Sequence, residues 1–393
     1  MPKDAESARP PSRKTLIRPA NDRLFLDLIR TNGQMSKAEL TRASGLSAQS
    51  ATVIVNRLVG EGFLKAGDAV KGKVGQPSTP YSLDPDGAYS IGVKVGRRSL
   101  EVASMSFDYQ IIERIVRRYD FPHLTTIRND ILNCIAEIFA SMTDAKRAKV
   151  VGIGIALPDD LSAWETTVGA PKGAMEDWKD ADLAAELTAK FELPVSRLND
   201  ASAACLAEMA LGNSENHSSF VYFYVGTFIG GGVSLAGQLY GGQHDRAGAM
   251  ASLPTAAVSL GVAPQLLEGA SLHFLEEAAR DSGIAEECFY QSAPLDQSSM
   301  AIFENWVETA ASQIAFAVVS AQAFLDPDAI IVDSSLTPEL TSVLIAAIRK
   351  ATQSKYDNRG LDIINIVSGS IGIAARAIGS GIVPFQAEFA LDG

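Results

Sequence analysis

Cysteine is scarce and scattered in this chain: Cys134, Cys205 and Cys288 are the three in 393 residues, and none belongs to a CxxC pair. An odd, isolated set excludes a disulfide framework and fits a reducing cytoplasm. No apolar run is long enough to span a membrane, so no membrane partner is expected. The opening MPKDAESARPPSRK has no apolar core of the kind a secretion signal needs. The expectation is a cytoplasmic protein. What the chain does hold is length for more than one domain, and 47% hydrophobic residues, enough for full cores.

Charge is unevenly placed. Residues 1–80 carry 13 Lys and Arg against 7 Asp and Glu, whereas residues 81–393 carry 21 against 39. A basic N-terminal module on an acidic body implies a polyanionic partner for the module alone. Residues 1–20, rich in Pro, Ser and Arg, are expected to be a disordered basic tail.

The stretch Met35–Leu64, MSKAELTRASGLSAQSATVIVNRLVGEGFL, reads as a helix-turn-helix. Ser36 and Glu39 form a capping box, in which each side chain satisfies a free amide at the helix start. Ser44-Gly45 ends that helix, because glycine accepts the left-handed turn. Ser47 caps a second helix whose Ala51, Ile54, Val55 and Leu58 recur at i, i+3, i+4 and i+7, a buried stripe. Its other face carries Gln49, Ser50, Thr52, Val53 and Asn56. Gln and Asn can pair with adenine, Ser and Thr with several bases, and Val can touch a thymine methyl. Arg57, one turn on, is placed to reach a phosphate. A packed helical hairpin with a polar outer face is the readier account of two short helices alone. The flanks favour DNA. Asn21 or Asp22 can cap an earlier helix with Leu24, Phe25, Leu28 and Ile29 on one face. After Leu64, KAGDAVKGKVGQPSTPYSL reads as a basic hairpin, with Lys71 and Lys73 set to meet DNA backbone or minor groove. Residues 21–80 are therefore read as a winged helix-turn-helix domain that binds a double-stranded DNA operator.

Past Pro85 the pattern changes to α/β. YSIGVKVGRRSLEVASMSFD and YQIIERIVRRYDF alternate like successive antiparallel strands, and a helix with Ile131, Ile135 and Ile138 and the strand VVGIGIALP follow. A second set begins at SSFVYFYVG and runs through a long helix, AIIVD, another helix and IINIV. Two strand-then-helix lobes, 81–200 and 201–393, imply a duplicated α/β domain with a ligand cleft between them.

The stretches YSIGVKVG, GIGIALP, LPVSRLNDASAACLAE, FVYFYVGTFIGGGVSLAGQLYGG, LLEGAS and FLDPDAIIV, in that order, make the chain resemble the ROK family (repressors, open reading frames and kinases), in its transcriptional-regulator branch. The resemblance implies a two-lobed, actin/hexokinase-like body behind a winged helix-turn-helix, a homodimer, and a sugar or sugar derivative as effector. It also shows where this chain departs. Kinases of the family hold ATP phosphates and metal on an Asp-Gly-Gly-Thr type loop, where this chain has Lys94, Val95, Gly96, Arg97 and Arg98. A cationic lysine cannot ligate magnesium, and arginines replace a turn whose amides must approach the nucleotide.

Asn199-Asp200 matches the family pair whose Asp is the base in kinases, and Glu268 in LLEGAS matches a sugar-contacting Glu. Ala249 and Ser252 stand where a sugar-binding Glu and a His of the family belong, and no cysteine lies between Pro254 and Glu268, so zinc is not expected. The expectation is a non-catalytic body binding its effector through Asn199, Asp200 and Glu268, with no cofactor and no metal. Two alternatives stay open: an ATP-dependent sugar kinase with an appended domain, and a regulator governed by a protein partner.

Overall fold

In the computed structural model, residues 18–69, 78–159, 161–166, 168–212, 217–255, 264–361 and 363–391 are described. Contacts divide the chain into two units, Met1–Ala88 with Phe385–Gly393, and Tyr89–Pro384.

In the first unit, α1 (Ala20–Asn32) buries Phe25, Leu26 and Ile29. A short strand β1 (Met35–Ser36) leads into α2 (Lys37–Ser44), and the capping box is present: Glu39 N donates to Ser36 Oγ at 3.3 Å and Ser36 N to Glu39 Oε2 at 2.7 Å. Gly45, at φ 70°, makes the left-handed turn. Then α3 (Ala48–Gly60) starts on Ser47, whose Oγ accepts from Ser50 N, and buries Ala51, Ile54, Val55 and Leu58. Strands β2 (Leu64–Ala66) and β3 (Pro80–Leu83) complete an antiparallel sheet in the order β1-β3-β2. The last residues of the chain join this core, with the Phe389 ring 5.5 Å from Phe63 and Arg23 donating to the Ala390 carbonyl at 2.8 Å.

The second unit repeats one topology. Its first lobe has β4 (Tyr89–Val95), β5 (Ser99–Ser106), β6 (Ile111–Arg118), α4 (Leu124–Ser141), α5 (Asp144–Arg147), β7 (Val150–Leu157), α6 (Leu183–Phe191), β8 (Val195–Asn199) and α7 (Asp200–Leu211). Its second lobe has β9 (Phe220–Val225), β10 (Ile229–Leu235), β11 (Gln238–Leu239), α8 (Leu267–Ala270), α9 (Leu272–Asp281), α10 (Gln297–Leu325), β12 (Ala329–Ser334), α11 (Pro338–Lys355), β13 (Ile366–Ser368) and α12 (Ala375–Phe389). The sheets run β6-β5-β4-β7-β8 and β11-β10-β9-β12-β13, each an antiparallel meander extended by two parallel strands. Every residue of β4 and of β9 is buried, as befits strands covered on both faces.

The lobes exchange helices. From the first lobe, α7 packs Ala204 and Cys205 against Phe220 and Tyr222 of the second sheet. From the second lobe, α12 lies on the first sheet, where Ser90 Oγ donates to the Gly381 carbonyl at 2.5 Å. The approach is so close that a Cβ on Gly154 of β7 would overlap the Ser380 carbonyl oxygen. Glycine is required there by space.

Several expectations need correction. The first unit ends at Ala88, not 80, because β3 is its central strand and Asp84 N still bonds the Phe63 carbonyl. A lobe boundary at 200/201 would separate Asp200 from the rest of α7, and residues 385–393 belong to the first unit. Helix α1 begins on Pro19 without a side-chain cap, since Asp22 is buried and ion-paired with Arg57. Arg18, read as tail, stacks 3.9 Å over Phe63 and pairs with Glu61 at 2.7 Å. Residues 1–17 of the tail, Lys71 and Lys73 lie outside the described residues.

Candidate functional site

Strand β8 delivers Asn199 and Asp200 to the mouth of a cavity of about 230 Å³ between the lobes of the second unit. Tyr224 from β9, Gly230 and Gly231 from β10, the segment Ala249–Ser252, Arg97 from the β4–β5 turn and Arg376 from α12 also line it. Asn199 is the N-cap of α7, its Oδ1 accepting from Ala201 N at 2.9 Å and Ser202 N at 3.4 Å. Asp200 lies 3.6 Å from a guanidinium nitrogen of Arg376. Arg376 in turn sits with its guanidinium carbon 4.8 Å from the Tyr224 ring centre. Burial opposes the Arg376 charge, yet Tyr224, Asp200 and Glu101 around it hold its pKa above the ordinary arginine value.

Arg97 stacks over Phe228 at 4.1 Å and Trp164 at 5.0 Å, two rings that touch each other. Burial lowers its pKa to about 10, so it is charged at neutral pH. Lys94 does not reach the cavity. Its Nζ is bonded to Ser99 Oγ at 2.9 Å and Glu101 Oε1 at 3.2 Å, and Glu101 also accepts from Arg114. Burial, and then the nearby Arg376, lower the Lys94 pKa to about 8. At the turn from β4 to β5 the chain thus presents an ion-paired lysine and a stacked arginine. Neither offers an oxygen to a metal.

Glu268 is placed apart from the others. It is exposed, its Oε1 accepts from Gln265 N at 3.2 Å, and it does not line the cavity, although the adjacent Leu267 does. Ala249 and Ser252 do line it, with Asp245 on the exposed rim, while His244 is exposed away from the lining. Trp178 donates to the Pro122 carbonyl at 2.6 Å and packs in the first lobe's core, beside a second cavity of about 490 Å³ that shares Pro158, Asp159 and Arg246 with the first. Lys172 lines neither cavity. Sequence reasoning missed Arg376, Trp164, Tyr224 and Phe228. Nothing local marks them, because they meet only through the fold. Among the described residues no cluster of three or more His, Cys, Asp and Glu could hold a metal ion.

In the first unit, α3 exposes Gln49, Ser50, Val53 and Asn56 and half-buries Thr52, whose Oγ1 bonds the Ala48 carbonyl. Val53 is 57% exposed. Ser47 Oγ is engaged by Ser50, and Asn56 Oδ1 accepts from Lys37 Nζ at 2.8 Å, which leaves the Asn56 amide as donor. Arg57 pairs with Asp22, whose side chain is 2% exposed, while its own side chain stays 42% exposed. A guanidinium has five donors, so this pairing and an outward contact are compatible.

Comparison with known proteins supplies the context. The chain is 25% identical over 373 residues to the uncharacterized protein y4fQ of Sinorhizobium fredii, covering 94% of this chain and 91% of that one. It is 25% identical over 237 residues to the xylose repressor of Bacillus subtilis, spanning 60% of this chain and 61% of the repressor. Among solved structures it is similar to a ROK family transcriptional regulator, a homolog of the E. coli MLC protein, at TM-score 0.66 and 18% identity, over 94% of this chain and 96% of that one. A ROK family glucokinase from Streptomyces griseus, in complex with glucose and AMPPNP, matches at TM-score 0.60 and 18% identity, over 76% of this chain and all of that one. The two structural likenesses speak for the fold. A match described as "ROK family" covers residues 90–381, and on that span the chain belongs to the ROK family.

Proposed function

We propose that this chain is a DNA-binding transcriptional regulator, a repressor of a carbohydrate uptake or catabolism operon, whose kinase-like body senses a sugar or sugar derivative and catalyses nothing. It acts in the cytoplasm as a homodimer on double-stranded operator DNA, since one small reading module needs a partner to fill a two-fold site. The first unit is a winged helix-turn-helix with α3 as reader, through Gln49, Ser50, Thr52, Val53 and Asn56. Ser47 fixes the start of that helix, and Lys71 and Lys73 contact backbone. The effector binds at Asn199 and Asp200 and shifts the population between arrangements that differ in operator affinity. Glu268 has no place in this reading, because it is exposed outside the cavity.

One observation carries the reading: the cleft keeps Asp200 yet meets it with Arg376, while Lys94 and Arg97 occupy the turn where a phosphoryl donor and its metal would bind. Phosphoryl transfer depends on positioning and metal electrostatics, so a base with no donor site transfers nothing. The xylose repressor among its relatives supports the regulatory side. The test is to capture promoter fragments from the organism's own genome on the immobilised full chain and then to add sugars. Release of a specific fragment by a sugar is the expected outcome, and release only by a protein fraction would favour the partner-governed alternative. A coupled assay for ADP, run with ATP and magnesium over the same sugars, is expected to stay at blank. Sugar-dependent ADP release would make the chain a kinase.

A further inference from the structure

The interior of the cleft is richer in positive charge than a neutral sugar requires. Among the described residues lining it away from the rim are two guanidinium groups, Arg97 and Arg376, and one carboxylate, Asp200. Asp159, Asp245 and Arg246 also line it but are exposed, where water screens them. Each interior arginine keeps one donor without a partner. The Nε of Arg97 and the Nε of Arg376 are both shielded from solvent without a hydrogen-bond acceptor. The aromatic rings of Trp164 and Phe228 accommodate the Arg97 charge but supply no lone pair to its donors. Asp200 stands 3.6 Å from Arg376, beyond hydrogen-bond length. A planar guanidinium with open donors in a sheltered site is the arrangement that recognises phosphate or carboxylate oxygens.

We infer that the effector is an anionic sugar, carrying a phosphate or a carboxylate, with its charged group between Arg97 and Arg376 and a hydroxyl on Asp200. This rests on the effector reading above and narrows its chemistry. Arg97 selects for charge, because losing the anion leaves a buried cation unpaired. Asp200 selects for a hydroxyl donor.

The test measures binding to the full chain by calorimetry, using matched probes: glucose, glucose 6-phosphate and glucuronate; galactose, galactose 6-phosphate and galacturonate; ribose and ribose 5-phosphate; and inorganic phosphate alone. In at least one set the charged member is expected to bind about ten- to a hundredfold more tightly than its neutral parent. Arg97→Gln, which keeps the stacked shape, should erase that preference, and Arg97→Lys should keep part of it, each with an unchanged thermal melt. Preference for the phosphate ester over the uronate names the phosphate as the anion, and the reverse order names the carboxylate. Neutral sugars that bind as tightly as their charged partners overturn the inference and leave the effector reading in place. A charge preference that survives in Arg97→Gln also overturns it, by putting the anion elsewhere. Binding of no probe in any set removes the sugar-effector reading itself, and this inference with it.

Discussion

Arg57 shows how a single residue can carry a role that local pattern does not announce. Its position one turn beyond the proposed reading face suits a phosphate contact, and Asp22, 35 residues earlier and nearly sealed from solvent, also engages its guanidinium. Removing the arginine would leave a buried carboxylate with Arg18 at 4.0 Å as a remaining cation. Arg57→Ala is therefore expected to lower the stability of the first unit by about 1–3 kcal/mol in urea titration. Unchanged stability with weakened non-specific binding would leave only the phosphate role. Lys94 offers a second test at this scale. Burial and Arg376 bring its folded pKa to about 8, against 10.5 for the ordinary side chain. The unfolded chain then holds more protons than the folded one between those values, so this group makes stability rise with pH across that window. A lysine Cε resonance titrating near pH 8 in the native protein, and absent in Lys94→Met, is the expected spectrum. Titration of every lysine above pH 10 would contradict the desolvation of Lys94, since its Glu101 partner acts in the raising direction.

Elements defined by local pattern were legible in the sequence, and those defined by packing were not. Helix α3 was readable because its stripe of Ala51, Ile54, Val55 and Leu58 needs only the helical period, and the capping box on Ser36 and Glu39 needs only four residues. Helix α12 was not. Gly379, Gly381 and Pro384 lie within its span, Ala375–Phe389, and each disfavours a helix by propensity. Those small residues let α12 lie against Gly92 and Gly154 of the first sheet, and the energy of that contact overrides propensity. The Asn199-Asp200 half of the cleft was visible as a motif, but Arg376 reaches it from the far end of the chain. As the proposed reading element, α3 carries its own prediction. Gln49→Ala removes a side chain that can make two hydrogen bonds to one base, and should cost about 1–3 kcal/mol on the operator. Random DNA should bind almost as before, because phosphate charge governs that affinity. Equal losses on both DNAs would show that α3 is not the reader.

At the scale of the whole molecule, the second unit is one fold drawn twice, with helices exchanged so that each lobe's sheet is covered by the other's helix. The duplication was apparent as two strand-then-helix sets, while the exchange was not, because no local pattern says which sheet α7 covers and α12 meets the first sheet across 291 positions, Gly381 on Ser90. A cleft between lobes joined in this way suits a sensor, since a ligand there touches both halves at once. The charge split follows the same division: the basic N-terminal stretch is the one that carries α3, and the acidic remainder holds the cleft. The claim that most depends on this division is sequence-specific DNA binding, and one titration tests it. The full chain is titrated by fluorescence anisotropy, at one fixed salt concentration, on a promoter fragment it retains and on a shuffled fragment of the same composition. A regulator of this kind should prefer the promoter by at least about a thousandfold. Equal affinity for the two fragments would contradict the account, because the basic unit would then be a polyanion-binding appendage and not a reader of sequence.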